Sequence, residues 1–279
     1  MVKLGSFVDV NEGRPTGAND FFYVPTEVAE QFGIEKTFLR PGLMKTRGFN
    51  RFVIGPTHLD RYFLSIDVPR EQLRGTRALR YVEHGESLGL HERSTFANKT
   101  EWYRFKVRPP ADLVAPCGLG STFFCAVNNA KAVASNSYTE VRANADDAPL
   151  VWAWLNTAVF WLQLEVAGRS SLGGGLLKVD PIEYRHLPVP SPTVGASCRS
   201  AVGYGLRVLG SRVVGTVLQE TSQKDRMELD NLYFDILGLT IGEREAVYEA
   251  LVGLVRGRIL KAGSLDRPDT RRATKHGRH

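Results

Sequence analysis

The chain has 279 residues, 43% hydrophobic and 24% charged, so it can bury a core and global disorder is excluded. Its three cysteines, Cys117, Cys125 and Cys198, form no CxxC, which excludes a disulfide scaffold and a zinc ribbon. The net charge of +6 is concentrated: thirteen basic residues face seven acidic ones between Leu43 and Arg108, a distribution suited to a polyanion through the forked donors of arginine.

The opening MVKLGSFVDV lacks the basic stretch and apolar run of a signal peptide, so a cytoplasmic location is expected. Within it, Leu4 to Val10 is strand-like. Trp102 to Val107 alternates apolar Tyr103, Phe105 and Val107 with basic Arg104 and Lys106, which predicts a half-buried strand with a positive solvent face. Thr122–Val127 and Ser137–Arg142 read as further strands. The most apolar run, Leu150 to Leu164, predicts one buried helix between Asp146-Asp147 and Gly168. It is shorter than the roughly 20 residues a spanning helix needs, and Asn156, Thr157 and Gln163 interrupt it, so no membrane is expected as a partner.

Three prolines between Leu187 and Ser197 predict a linker. Beyond it the pattern turns helical. Leu206, Leu209, Val213 and Val217 share one face, and a second helix runs from Asp225 to Leu237 with Gly238 as its cap. Thr240 and Glu243 have capping-box spacing, opening a third helix to about Ala262 with Val247, Leu251 and Leu254 on one side. From Asp266 the chain is polar and basic, which predicts a disordered tail. The expected fold is α+β: an irregular mixed-sheet domain with a buried helix over residues 1–190, a helical region over 191–265, and the tail over 266–279.

Catalytic signatures are absent from the sequence. His58, His84, His91 and His186 have no metal-ligand spacing, so neither a metal site nor a catalytic residue is expected. There is no GxSxG elbow. The glycine-rich stretch Gly168–Gly175 is followed by Leu176-Leu177, not by the Lys-Ser/Thr pair of a phosphate loop.

Two segments stand out. In Gly13-Arg14-Pro15-Thr16-Gly17-Ala18-Asn19-Asp20-Phe21-Phe22-Tyr23, glycine and asparagine permit a tight turn, and Asn19 carries the donor–acceptor pair that can read an adenine edge. Phe21, Phe22 and Tyr23 either anchor this loop in a core or stack on an exposed base. In Gly173–Pro190, glycines allow close backbone approach to a polyanion and Lys178 can supply a phosphate contact; the bland alternative is a flexible loop before a strand.

Together these segments resemble the target-recognition region of N6-adenine DNA methyltransferases of the type II and combined restriction-modification kind. A Gly-x-x-Thr-Gly-x-Asn-Asp-x-Phe motif is matched from Gly13 to Phe22, and a Leu-Arg-Pro step into a basic stretch by Leu39-Arg40-Pro41 and Lys45. A Leu-Asn-Ser-like helix is matched by Leu155-Asn156-Thr157, and a Gly-Gly-x-x-Lys segment leading to Leu-Pro-x-Pro from Gly174 to Pro190. The similarity covers about residues 1–190 well and the remainder loosely. The Phe-x-Gly-x-Gly motif that binds S-adenosylmethionine and the Asn/Asp-Pro-Pro-Tyr/Phe motif that holds the flipped adenine are missing; in such enzymes both lie upstream.

The resemblance therefore implies a DNA-specificity module, as a subunit or a gene fragment, that positions a separate catalytic methyltransferase chain on its target. Its partners would be double-stranded DNA and that catalytic chain. No cofactor is expected on this chain, S-adenosylmethionine belonging to the catalytic partner. The alternative is a free-standing sequence-specific DNA-binding protein. The implied DNA contacts are Arg14, Thr16 and Asn19 on the first loop, Lys45, Arg47 and Arg51 in the basic stretch, and Lys178 on the glycine-rich segment.

Overall fold

Two hydrophobic cores organise the chain in the computed structural model, which describes residues 1–44, 48–106, 108–170 and 174–265. The larger is built on a four-stranded antiparallel sheet in the order β2 (Asp9–Glu12), β10 (Tyr138–Arg142), β6 (Leu113–Pro116), β8 (Ala126–Val127). In β10 every residue but Arg142 is buried, because strands cover both its edges and the chain packs on both its faces. Two short antiparallel pairs extend this body: β1 (Val2–Lys3) with β12 (Pro188–Val189), and β7 (Gly118–Leu119) with β11 (Leu177–Lys178).

The second core is drawn from Ala18 to Phe105, with Val133. Its sheet runs β3 (Tyr23–Pro25), β5 (Arg61–Leu64), β4 (Leu39–Leu43), β9 (Val133–Ala134). Helices α1 (Asn19–Phe22), α2 (Thr26–Phe32) and α3 (Arg77–Ser87) contribute to its core. The packing is aromatic: Phe21 stacks on Tyr81 at 4.7 Å between ring centroids, and Phe22 meets Phe105 edge-on at 4.8 Å. This lobe is inserted between β2 and β6. The late strand β9, parallel to β4, stitches it back to the body.

The apolar run at 150–164 is two helices, not one. Helices α4 (Ala148–Leu155) and α5 (Ala158–Ala167) bend by 66° at Asn156-Thr157. Asn156 gives its amide to the Trp152 and Cys125 carbonyls and accepts from the Cys125 N–H, while the Thr157 hydroxyl caps α5 by accepting from Phe160 N–H. No single helix among the described residues is long and apolar enough to cross a membrane.

Trp102–Val107 is not a strand. Tyr103 and Phe105 are buried and Arg104 and Lys106 exposed, so the alternation holds there, but Trp102 is buried as well and no strand pairs with the segment among the described residues. The segment turns instead, and Phe105 N–H donates to the Ile66 carbonyl; Val107 lies outside the described residues. Within Thr122–Val127 only Ala126-Val127 pairs, whereas Ser137–Arg142 holds β10. The proline-rich 187–197 is no free linker: it contains β12 and α7 (Pro192–Gly195), which follows α6 (Pro181–His186).

The helical C-terminal part is present. Helix α8 (Arg199–Gly210) packs on α4, and it stops before Val213, which lies exposed beyond it. After α9 (Val217–Glu220), α10 (Lys224–Leu237) closes at Gly238, and the Thr240–Glu243 capping box opens α11 (Ile241–Leu265). Helix α11 packs on α5, burying Leu251 and Val255 and leaving Leu254 exposed. These helices thus pack on the sheet-bearing body. The basic tail from Asp266 lies outside the described residues.

Candidate nucleic-acid interface

A cavity of about 740 Å³ opens between Gly48–Asn50, Pro116, the strip Gly118–Thr122, and Gly174 with Leu176. Glycine recurs in its walls, at Gly48, Gly118, Gly120 and Gly174, and Gly48 and Gly174 hold φ of 77° and 56°, where a side chain is strained. Stripped of side chains, these walls bring main-chain donors and acceptors close to whatever enters. Phe49 and Phe124 supply aromatic surface, and Ser121 and Thr122 supply hydroxyls.

The rim is fixed by the C-terminal part. Asn50 and Val214 exchange two hydrogen bonds, Val214 N–H to the Asn50 carbonyl at 2.9 Å and the Asn50 amide to the Val214 carbonyl at 2.6 Å. Val217 N–H donates to the Ser121 carbonyl at 2.7 Å. From α11, Arg258 donates to the carbonyls of Leu119 at 3.2 Å, Gly120 at 2.9 Å, and Gly175. Its charge is met by Glu165 of α5 at 2.5 Å, both side chains being almost wholly buried. One guanidinium therefore clamps both glycine strips of the cavity.

The expected DNA contacts fall into separate places. Arg51 adjoins the cavity wall and bridges to Val213. Lys178 lies in β11 opposite Gly118, with its ammonium 3.2 Å from Asp180, a carboxylate that Arg169 also engages. Lys45 and Arg47, which precede the wall at Gly48, lie outside the described residues.

Thr16 and Asn19 form the turn into the lobe. The buried Thr16 hydroxyl donates to Asn19 Oδ1 at 2.6 Å, and the Asn19 amide donates to Asn136 Oδ1 at 2.9 Å. Gly13 is required by close approach, since a Cβ there would sit 2.1 Å from the Ser135 carbonyl oxygen. Phe21, Phe22 and Tyr23 are buried in the lobe core, so the base-stacking alternative for them is overturned.

Arg14 stands apart from the cavity. It shares a shallow hollow with Arg108, Arg142 and the buried Glu140. Burial first, and then the charge of Arg108, lower the Arg14 pKa below the usual arginine value. Sequence reading missed Arg108, Arg142 and Glu140 because they sit on different segments that only the fold gathers. Among the described residues, no three His, Cys, Asp or Glu side chains are grouped to hold a metal ion.

Comparison with known proteins agrees with this architecture. The type IIG restriction endonuclease BpuSI is similar with a TM-score of 0.60 at 16% identity, the match covering 94% of this chain and 31% of that one. The type IIL restriction-modification enzyme MmeI, solved in complex with DNA, is similar with a TM-score of 0.60 at 13% identity, covering 92% and 36%. The chain thus spans about a third of the length of these enzymes. The family described as the type II methyltransferase M.Eco57I C-terminal domain matches residues 1–209, well over half of the sequence. This chain belongs to the family of type II methyltransferase M.Eco57I C-terminal domains.

Proposed function

We propose that the chain is the DNA-recognition module of a restriction-modification methyltransferase, and that it holds duplex DNA while a separate domain or chain transfers a methyl group to adenine N6. Family membership and the likeness to restriction-modification enzymes support the module. The observation that carries the DNA reading is the glycine-walled cavity with Arg51 and Lys178 at its margins. A base to be modified must leave the stack, so a second lobe has to grip the flanking duplex. Cationic side chains on phosphates set the register, and groups reaching base edges set the sequence. S-adenosylmethionine belongs to the catalytic partner in this reading, and no step of the methyl transfer is assigned to this chain.

The purified chain should bind duplex DNA with a strong inverse dependence on salt. Replacing Arg51 and Lys178 together by alanine should weaken binding to all sequences and reduce the slope of log K against log salt by about two contacts' worth, roughly 0.9 each. An unchanged slope would remove these residues from the interface. Adenine methylation by the wild-type chain mixed with a catalytic methyltransferase chain, but not by either alone, would support the module. DNA binding with no such partner in its own cells would favour the free-standing reading.

A further inference from the structure

We propose that Arg14, Arg108 and Arg142 form a phosphate-binding site at the seam between the two cores, one that takes a phosphodiester of the DNA backbone. This rests on the DNA-recognition reading and adds a second anchoring point, outside the glycine-walled cavity. Arg14 lies where the chain enters the inserted lobe, Arg108 where it leaves, and Arg142 at the end of β10 in the body. All three meet in one hollow around a single carboxylate.

The charge balance of this hollow points to an anion. Arg142 Nη2 lies 2.5 Å and Arg108 Nη2 4.0 Å from the same oxygen, Oε2 of Glu140. Two guanidiniums thus hold one carboxylate, whose side chain is only 6% exposed, and the third, that of Arg14, lines the same hollow. Their other hydrogen bonds among the described residues are to neutral carbonyls, Arg14 to Lys106 at 2.6 Å, Arg108 to Glu12 at 3.4 Å and Arg142 to Pro109 at 3.1 Å, and Arg14 also lies over the Phe105 ring at 5.6 Å. Like charges held together at a partly desolvated site repel, and a bound anion relieves that repulsion. The depressed pKa of Arg14 has this origin in part.

Size selects the form of the ligand. The hollow holds only about 10 Å³, room for about one water molecule. It cannot enclose a nucleotide. A phosphate must lie across its mouth, where the Arg108 side chain is 47% exposed and its planar fork matches two phosphate oxygens. A backbone phosphodiester satisfies this while the rest of the duplex stays outside.

The test uses two probes, duplex DNA and inorganic phosphate, and two variants with opposite expected signs. Arg108→Ala leaves the close Arg142–Glu140 pair intact. It should weaken DNA of any sequence on the order of three- to tenfold and lower the salt slope by about 0.9. Glu140→Gln removes the carboxylate that lines the hollow and should tighten both probes, whereas a purely structural cluster would lose affinity in both variants. Wild-type affinity for DNA and phosphate in Arg108→Ala, or weakened binding in folded Glu140→Gln, would overturn the site. Phosphate binding lost in Arg108→Ala, with no DNA binding by the wild type, would keep the anion site and defeat the DNA reading. Binding of neither probe would defeat both.

Discussion

The inserted lobe and the body that carries it solve the same problem with different means. The lobe is held by neutral aromatic packing, and its ion pairs sit at the rim, as Arg70–Glu86 does with side chains 41% and 27% exposed. The body buries its charges. Arg258–Glu165 is almost fully enclosed, and Arg226–Asp230 is 1% exposed on both sides, with the Arg226 guanidinium 3.9 Å above the Trp161 ring. Asp230 in turn accepts from the Ala158 N–H that starts α5 and from the Tyr248 hydroxyl of α11. Rim pairs can be lost cheaply, while a buried pair fixes which helix meets which loop. The body's charges tie α5, α10 and α11 together and, through Arg258, hold the glycine-walled cavity. The shape of that cavity therefore depends on single residues in a way that the lobe's packing does not.

The sharpest test of this contrast is Arg258→Ala. Breaking a buried pair by removing one partner leaves Glu165 uncompensated and should cost about 3 to 5 kcal/mol in urea unfolding. Three carbonyls at or beside the cavity wall, those of Leu119, Gly120 and Gly175, lose this donor at the same time. DNA affinity should fall even under conditions where the variant is fully folded, since the wall strips are no longer held together. If stability and affinity both stay at wild-type values, the cavity does not depend on the C-terminal helix.

Gly13→Ala comes next and acts at the junction of the two regions. The new methyl would meet the Ser135 carbonyl oxygen at 2.1 Å, so the backbone must move. Overpacking of this kind costs about 1 to 3 kcal/mol. The displaced turn carries Arg14 and Thr16 and its own backbone bonds, Gly13 N–H to Tyr138 O at 2.8 Å and Arg14 N–H to Ala134 O at 2.7 Å. A thermal shift smaller than that of Arg70→Ala would show that the turn adapts freely.

These positions also mark what could be seen from sequence. The Gly13–Asn19 motif was legible as a turn, and the structure explains its residue types through close approach, a side-chain hydrogen bond and the turn into the buried aromatic helix α1. The Gly238 cap and the Thr240–Glu243 box were legible because each is decided within a few residues. The single helix expected at 150–164 failed because Asn156 spends its amide on the backbone of Cys125, 31 residues away. The strand expected at 102–107 failed because the chain turns at Trp102, whose ring packs on Phe21, far off in sequence. The Arg14–Arg108–Arg142 cluster was invisible for the same reason: its members have no mutual spacing until the lobe is folded.

A smaller effect is expected from Arg70→Ala in the lobe. The pair with Glu86 has good geometry, 2.6 Å and 3.0 Å from two guanidinium nitrogens, yet solvent screens it. The expected cost is roughly 0 to 1 kcal/mol, shrinking as salt is added. A cost near that of Arg258→Ala would erase the distinction between rim and interior charges.

The smallest effect separates the regions by acid. Glu35 caps α3 from the adjoining loop, its carboxylate accepting from Arg77 N–H at 2.6 Å and Ala78 N–H at 3.0 Å. Burial opposes ionisation and is the largest single influence, but the backbone N–H bonds together with the charge of Arg77 outweigh it, so the Glu35 pKa falls below its ordinary 4.5. A carboxyl with a depressed folded pKa contributes stability above its unfolded pKa and loses it as pH falls through the folded value. Wild-type and Glu35→Gln stabilities should therefore differ above pH 4.5 and converge below the depressed value, because a neutral side chain at position 35 gives up the charge-assisted part of the cap at every pH. Parallel curves across that window would mean that the ionised form adds nothing to the cap. The lobe would then rest on its aromatic core alone, which would widen its contrast with the charge-clamped body.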